Sequence, residues 1–155
     1  MDEQTQPATR RAKTHEQIDR LLAERDSTLV LLWKVSGRDD NDPHAPDQTL
    51  LAEFTTLLTD YIAAGDFGLF QRVAEGTERR QAVLTVAAQT YPRISETTRI
   101  AVDFSDRYSD RAGAHLDPRL PEDLVTLGEA LAERIGLEDE LIAAMRRGKG
   151  AHAAA

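Results

Sequence analysis

The chain has 155 residues, of which 41% are hydrophobic and 30% charged. That is enough to close one hydrophobic core and too polar for a membrane-embedded protein. Nineteen basic against 27 acidic side chains give a formal charge of −8, so a surface that binds nucleic acid directly along its length is disfavoured and a basic partner is favoured. Cysteine is absent, which removes disulfides, thiolate metal sites and cysteine nucleophiles. The N-terminal MDEQTQPATRRAK carries no apolar core of a secretory signal. The longest apolar run, Leu29 to Trp33, is far short of the roughly 20 residues that span a bilayer. A cytoplasmic protein with no membrane contact is expected.

In chain order, residues 1–13 are polar, contain Pro7 and read as a flexible tail. Residues 14–35 have helical periodicity at Ile18, Leu21, Leu22, Leu29, Leu32 and Val35, with Thr14 and Gln17 as a capping box and Gly37 as a stop. SGRDDNDPHAPD, residues 36–47, is a loop by its prolines and aspartates. A second helix is predicted over 48–64 with the stripe Leu51, Phe54, Leu58, Tyr61 and Ile62, ending at Gly65. Asp66 then caps a short helix over 67–75, and Gly76-Thr77 breaks the chain. Helical pattern returns over 78–108, with Pro92 kinking or dividing it. After a loop at 109–120, Pro121-Glu122-Asp123 open a last helix that runs to Arg147, and 148–155 form a second tail. Four long helices and a short connector predict an all-α fold, a four-helix bundle of residues 14–147.

Two charges interrupt the apolar stripes. The inward register of the last helix is read as Leu124, Gly128, Leu131, Ile135, Glu138, Ile142, Met145, with spacings of four and three. That of the first is Ile18, Leu22, Arg25, Leu29, Leu32. A lone buried charge is too costly to persist, so Arg25 and Glu138 either pair across the bundle as a bidentate ion pair or lie at the stripe edge and reach water.

Catalytic signatures are missing. None of the four histidines follows a glutamate by three residues, as a di-metal bundle requires, and there is no nucleophile elbow, phosphate loop or dinucleotide fingerprint. No cofactor, metal or enzymatic activity is expected. Binding chemistry is better represented. TDYIAAGDFGLF, residues 59–70, gathers three of the chain's eight Phe, Trp and Tyr residues beside Asp60 and Asp66. Tyr61, Phe67 and Phe70 have two readings, as anchors of a protein interface or as filling for a helix corner. Asp103, Asp106 and Asp110 share a helical face and offer a second acidic surface.

Three ordered blocks resemble the Rsd/AlgQ regulators of the primary sigma factor of bacterial RNA polymerase: IDRLLAERDSTLVLLWKVSG (18–37), TDYIAAGDFGLFQR (59–72) and LGEALAERIGLEDELI (127–142). A weaker fourth runs through Ala87-Ala88, Tyr91-Pro92 and Ile94 to Asp106. The resemblance implies a four-helix bundle and an anti-sigma activity, binding the C-terminal, promoter-recognising domain of the sigma factor. It implies a partner-binding role for Asp60, with Phe67 and Phe70 at the family's aromatic positions. It also implies that Arg25, Glu138 and Asp139 are polar residues lining the bundle interior. Gln71 and Leu21 depart from the family pattern, which has glutamate and tryptophan there. Two other classes remain open: a bundle whose interior polar residues hold a small ligand, and a scaffold for a different regulatory protein.

Overall fold

A computed structural model describes residues 6–37, 47–74, 80–109 and 111–154. Helix α1 spans Gln6–Val35, α2 Gln48–Ala63, α3 Gln71–Ala74, α4 Gln81–Tyr108 and α5 Leu120–Ala154. A π-helical segment, Ala64–Phe70, joins α2 to α3 without a break, and a 3₁₀ turn, Ala114–Leu116, precedes α5. The described residues are all-α, and the four long helices form a bundle. Helix α1 packs on α2, α4 on α5, and α2 against α4, while the π segment lies on α1.

Local chemistry explains most helix ends. Gly37 ends α1 at φ +72°, a left-handed conformation that glycine adopts without penalty, and its N–H donates to Lys34 O at 3.0 Å. Asp47, from the acidic loop, caps α2: its side chain accepts from Leu50 N at 2.8 Å. Asp117 Oδ1 accepts from Arg119 N at 2.9 Å and turns the chain into α5, whose first turn carries Pro121, Glu122 and Asp123.

Several boundaries differ from the sequence reading. Helical backbone extends through both segments expected as tails, from Gln6 and to Ala154. Pro7 sits in a first turn, where its missing N–H would be unbonded anyway, and Gly148 costs a helix only about 1 kcal/mol relative to alanine. The capping box at Thr14 and Gln17 is therefore helix interior. Helix α4 passes through Pro92 as one element; Pro92 and Ala88, whose carbonyl loses its helical donor, are both exposed. The predicted break at Gly76-Thr77, the loop aspartates before Asp47 and Asp110 lie outside the described residues.

The core is continuous. Ile18, Leu21, Leu51, Phe54, Leu58, Leu69, Ile94, Leu127 and Leu131 are buried, and the Phe54 ring meets Phe104 edge-on at 5.8 Å. On α1 the buried line is Ile18, Leu21, Thr28 and Val35, one step round from the predicted register, with Leu22, Leu29 and Leu32 half-buried. Thr28 Oγ1 donates to Glu24 O at 2.8 Å and lies 3.1 Å from Leu57 O, holding α1 to α2. No helix of the described residues is long and apolar enough to cross a membrane.

Candidate functional site

The bundle encloses a polar cluster centred on Arg134, a residue absent from the sequence-level register. Its side chain is fully buried. Nε donates to Glu138 Oε2 at 2.8 Å, one turn along α5. Nη1 donates to Thr98 Oγ1 at 2.8 Å and Thr97 Oγ1 at 3.3 Å on α4, and Nη2 to Asp66 Oδ1 at 3.1 Å on the π segment. The guanidinium also lies over the rings of Tyr61 and Phe70, 5.6 and 6.0 Å from their centroids. One side chain thus ties α5 to α4, α2 and the π segment.

Glu138 is the second hub. Besides Arg134 it accepts from Tyr61 Oη at 2.7 Å and from Arg25 Nη1 at 3.3 Å. Burial pushes its carboxyl above the ordinary glutamate range, and Arg134, Tyr61 and Arg25 pull it back. Burial and the Glu138 carboxylate raise the Tyr61 phenol, which therefore stays a donor. The expected Arg25–Glu138 pair forms, but through a single guanidinium nitrogen rather than bidentately. The same Nη1 makes a shorter contact, 2.9 Å, to Asp139. Asp139 is 56% exposed, so it belongs to the surface end of the network and not to the interior. Two consecutive acids on a helix point about 100° apart, and Glu138 takes the inward direction.

The true α5 seam is Leu127, Leu131, Arg134, Glu138, Leu141 and Met145, all at most 3% exposed. It keeps the four-three alternation, whereas Gly128 and Ile135 of the predicted register are only half-buried. Arg134 was legible: it lies three residues after Leu131 and four before Glu138. An arginine at a seam position reads as solvent-facing unless its buried partners are known.

The segment 59–70 resolves differently from its sequence reading. Gly65 does not end α2. A Cβ built there would stand 2.7 Å from Arg134 Nη2, so any other residue must displace the guanidinium, and glycine is favoured by close approach. Asp66 is not a cap; it takes Arg134 and, at 3.0 Å, the Thr98 hydroxyl. The π winding places Gly65, Leu69 and Phe70 on the inner side, because residues four and five apart share a face when hydrogen bonds run i→i+5. Phe70 is consequently buried, at 3%, while Tyr61, at 0%, lies on the apolar stripe expected for α2; both fill the helix corner. Phe67 is 75% exposed. Asp60 is exposed and has no ion-pair partner among the described residues.

Asp103 and Asp106 are both exposed, and Asp103 is held by Arg99 Nη1 at 2.9 Å. Beside the π segment, Phe70, Val73, Leu84, Ala87, Ala88, Tyr91 and Pro92 line an apolar groove of about 350 Å³. Among the described residues no group of three or more His, Asp or Glu is arranged to hold a metal.

Residues 1–146 match the family model described as "Regulator of RNA polymerase sigma(70) subunit, Rsd/AlgQ". The chain belongs to the Rsd/AlgQ family. Among curated relatives it is similar to a protein named "Regulator of sigma D" of Yersinia enterocolitica, 30% identical over 138 residues, covering 83% of this chain and 80% of the relative. A protein of the same name from Salmonella paratyphi A is 31% identical over 129 residues, covering 81% and 78%. Another, from Shigella dysenteriae, is 29% identical over 128 residues. No solved structure gave a match. The matched span takes in α1 to α5, so this Rsd/AlgQ member carries the Arg134–Glu138 network and the π segment inside the family region.

Proposed function

We propose that this Rsd/AlgQ protein is a non-enzymatic anti-sigma regulator. It binds the C-terminal, promoter-recognising domain of the primary sigma factor and withholds it from core RNA polymerase and promoter DNA. The family is one of sigma-70 regulators, and the relatives are named for sigma D. The observation that carries the reading is that Asp60, with no ion-pair partner among the described residues, and Phe67 are both exposed on the continuous helical stretch that runs from α2 into the π segment. A DNA-reading domain is basic, and an exposed carboxylate and an exposed large aromatic offer such a surface a charge partner and an apolar contact. The net charge of −8 adds long-range steering. Asp103 and Asp106 extend the acidic surface available on α4. The interior polar residues spend their hydrogen bonds on one another, which suits a structural role better than capture of a small ligand.

The test is a titration of the protein against its sigma factor with and without the C-terminal domain, at low and physiological salt. Saturable one-to-one binding that needs the domain and weakens with salt is expected. Asp60→Ala and Phe67→Ala each weaken it about tenfold, with the far-UV spectrum and melting temperature unchanged. Equal binding to sigma factor lacking that domain, or no binding by folded protein at either salt, refutes the reading.

A further inference from the structure

We propose that Arg134 is a positioning residue. From inside the bundle it clamps the π-helical segment through Asp66 and so fixes Phe67 for partner binding. The proposal rests on the anti-sigma reading for its partner, but the clamp itself is a property of this chain.

Four observations converge on it. The π segment is a departure from α-helical winding, and such departures persist only where surrounding contacts favour them. Asp66 is the segment's charged residue, and both its oxygens are used: Oδ1 takes Arg134 Nη2 at 3.1 Å and Oδ2 takes the Thr98 hydroxyl at 3.0 Å. Thr98 also accepts from Arg134 Nη1 at 2.8 Å, so arginine, threonine and aspartate close a ring between α5, α4 and the π segment. Gly65, next to Asp66, brings backbone so close to Nη2 that a side chain there would displace the guanidinium. Phe67 immediately follows Asp66 and is 75% exposed. No apolar burial holds its ring, so its direction is set by the backbone on either side. That backbone is fixed by Asp66 above and by buried Leu69 and Phe70 below. Arg134 touches no surface and contacts the partner only through what it holds.

Replacing Arg134 itself is a poor test, because Glu138 would be left buried beside a lost cation and the bundle would unfold for that reason alone. Asp66→Asn is the discriminating variant. It keeps shape and partial hydrogen bonding, leaves Arg134 neutralised by Glu138, and lies at a position whose side chain is 25% exposed. Two readouts follow. Amide hydrogen exchange of residues 64–70 rises about tenfold in Asp66→Asn while the middle of α4 and α5 is unchanged. Exchange equal to wild type in the segment, or a uniform rise over the whole bundle, overturns the clamp. Affinity for full-length sigma factor falls at least about fivefold in Asp66→Asn, and the fall disappears when Phe67→Ala is already present. An additive loss in the double variant means that Asp66 acts independently of Phe67 and overturns the positioning role. If wild-type protein does not bind sigma factor at all, the anti-sigma reading and with it the positioning role fail, and the exchange measurement still decides the clamp.

Discussion

Gly65→Ala isolates the contact between the π segment and the buried arginine. Two effects oppose each other. Replacing a helical glycine by alanine removes chain entropy from the unfolded state and is worth about 0.5–1 kcal/mol in favour of folding. Against it, the new methyl stands 2.7 Å from Arg134 Nη2 and 3.6 Å from Leu21 Cδ1 and Phe70 Cε2. An arginine tip ordinarily yields at little cost. This one is fully buried, and the nitrogen that must move is the donor to Asp66. Overpacking of a closed core costs about 1–3 kcal/mol, so a net loss of roughly 1–2 kcal/mol is expected. For a chain of this size that lowers the melting temperature by roughly 2–8 °C, measured by calorimetry. The control is Gly136→Ala on α5, where nothing lies within 4 Å. It gains helix propensity without a clash and raises the melting temperature by about 2–4 °C. If Gly65→Ala matches or exceeds wild type while Gly136→Ala behaves as expected, Arg134 does not occupy the space assigned to it.

Three further outcomes test the network and the surface. Glu138→Ala strips Arg134 and Tyr61 of their shared acceptor and lowers unfolding free energy by about 3–5 kcal/mol in urea denaturation; a loss under about 1 kcal/mol would mean that the pair is not buried. Tyr108 donates to Asp123 Oδ2 at 2.5 Å, and burial together with that carboxylate pushes its phenol from 10 up to about 12. A folded-state pKa above the unfolded one stabilises fully below pH 10, and the contribution is lost as pH rises through 12; Tyr108→Phe therefore flattens the decline of stability between pH 10 and 12, and an unchanged slope refutes the assignment. The side chains of Arg119 and Arg111 hold the Asp117 carboxyl far below its ordinary 3.8, so its stabilisation is present at neutral pH and is lost as pH falls below that value. Asp117→Asn should accordingly show a shallower acid limb in a melting-temperature profile, and an identical limb would show that these contacts carry no linkage.

How much of the site could be read in advance depended on which kind of signal placed each residue. Glu138 is conspicuous as a charge at a seam position among leucines, and the structure selects its pairing with Arg25 over the stripe-edge alternative. Arg134 was passed over because a long basic side chain ordinarily reaches water, and only its three acceptors on other elements make burial possible. Tyr61 and Phe70 were grouped with Phe67 by composition. Tyr61 already falls on the apolar stripe of α2, whereas separating Phe70 from Phe67 requires the π winding, which sequence periodicity at 3.6 residues does not anticipate.

The four long helices, the all-α class and the family resemblance are legible in the chain alone. Those follow from periodicity, propensity and ordered local blocks, all of which are written within one segment at a time. The sequence also placed Arg25 and Glu138 on inward stripes and left open whether they pair inside or reach water at the stripe edge. Tertiary structure alone decided which partners meet. The partners of Asp66, the close approach at Gly65 and the ring of Phe70 all meet Arg134 of a distant helix. The physical reason is that a hydrogen bond or a close contact between segments some 70 residues apart is a property of their packing, and no local window of the chain contains both sides of it.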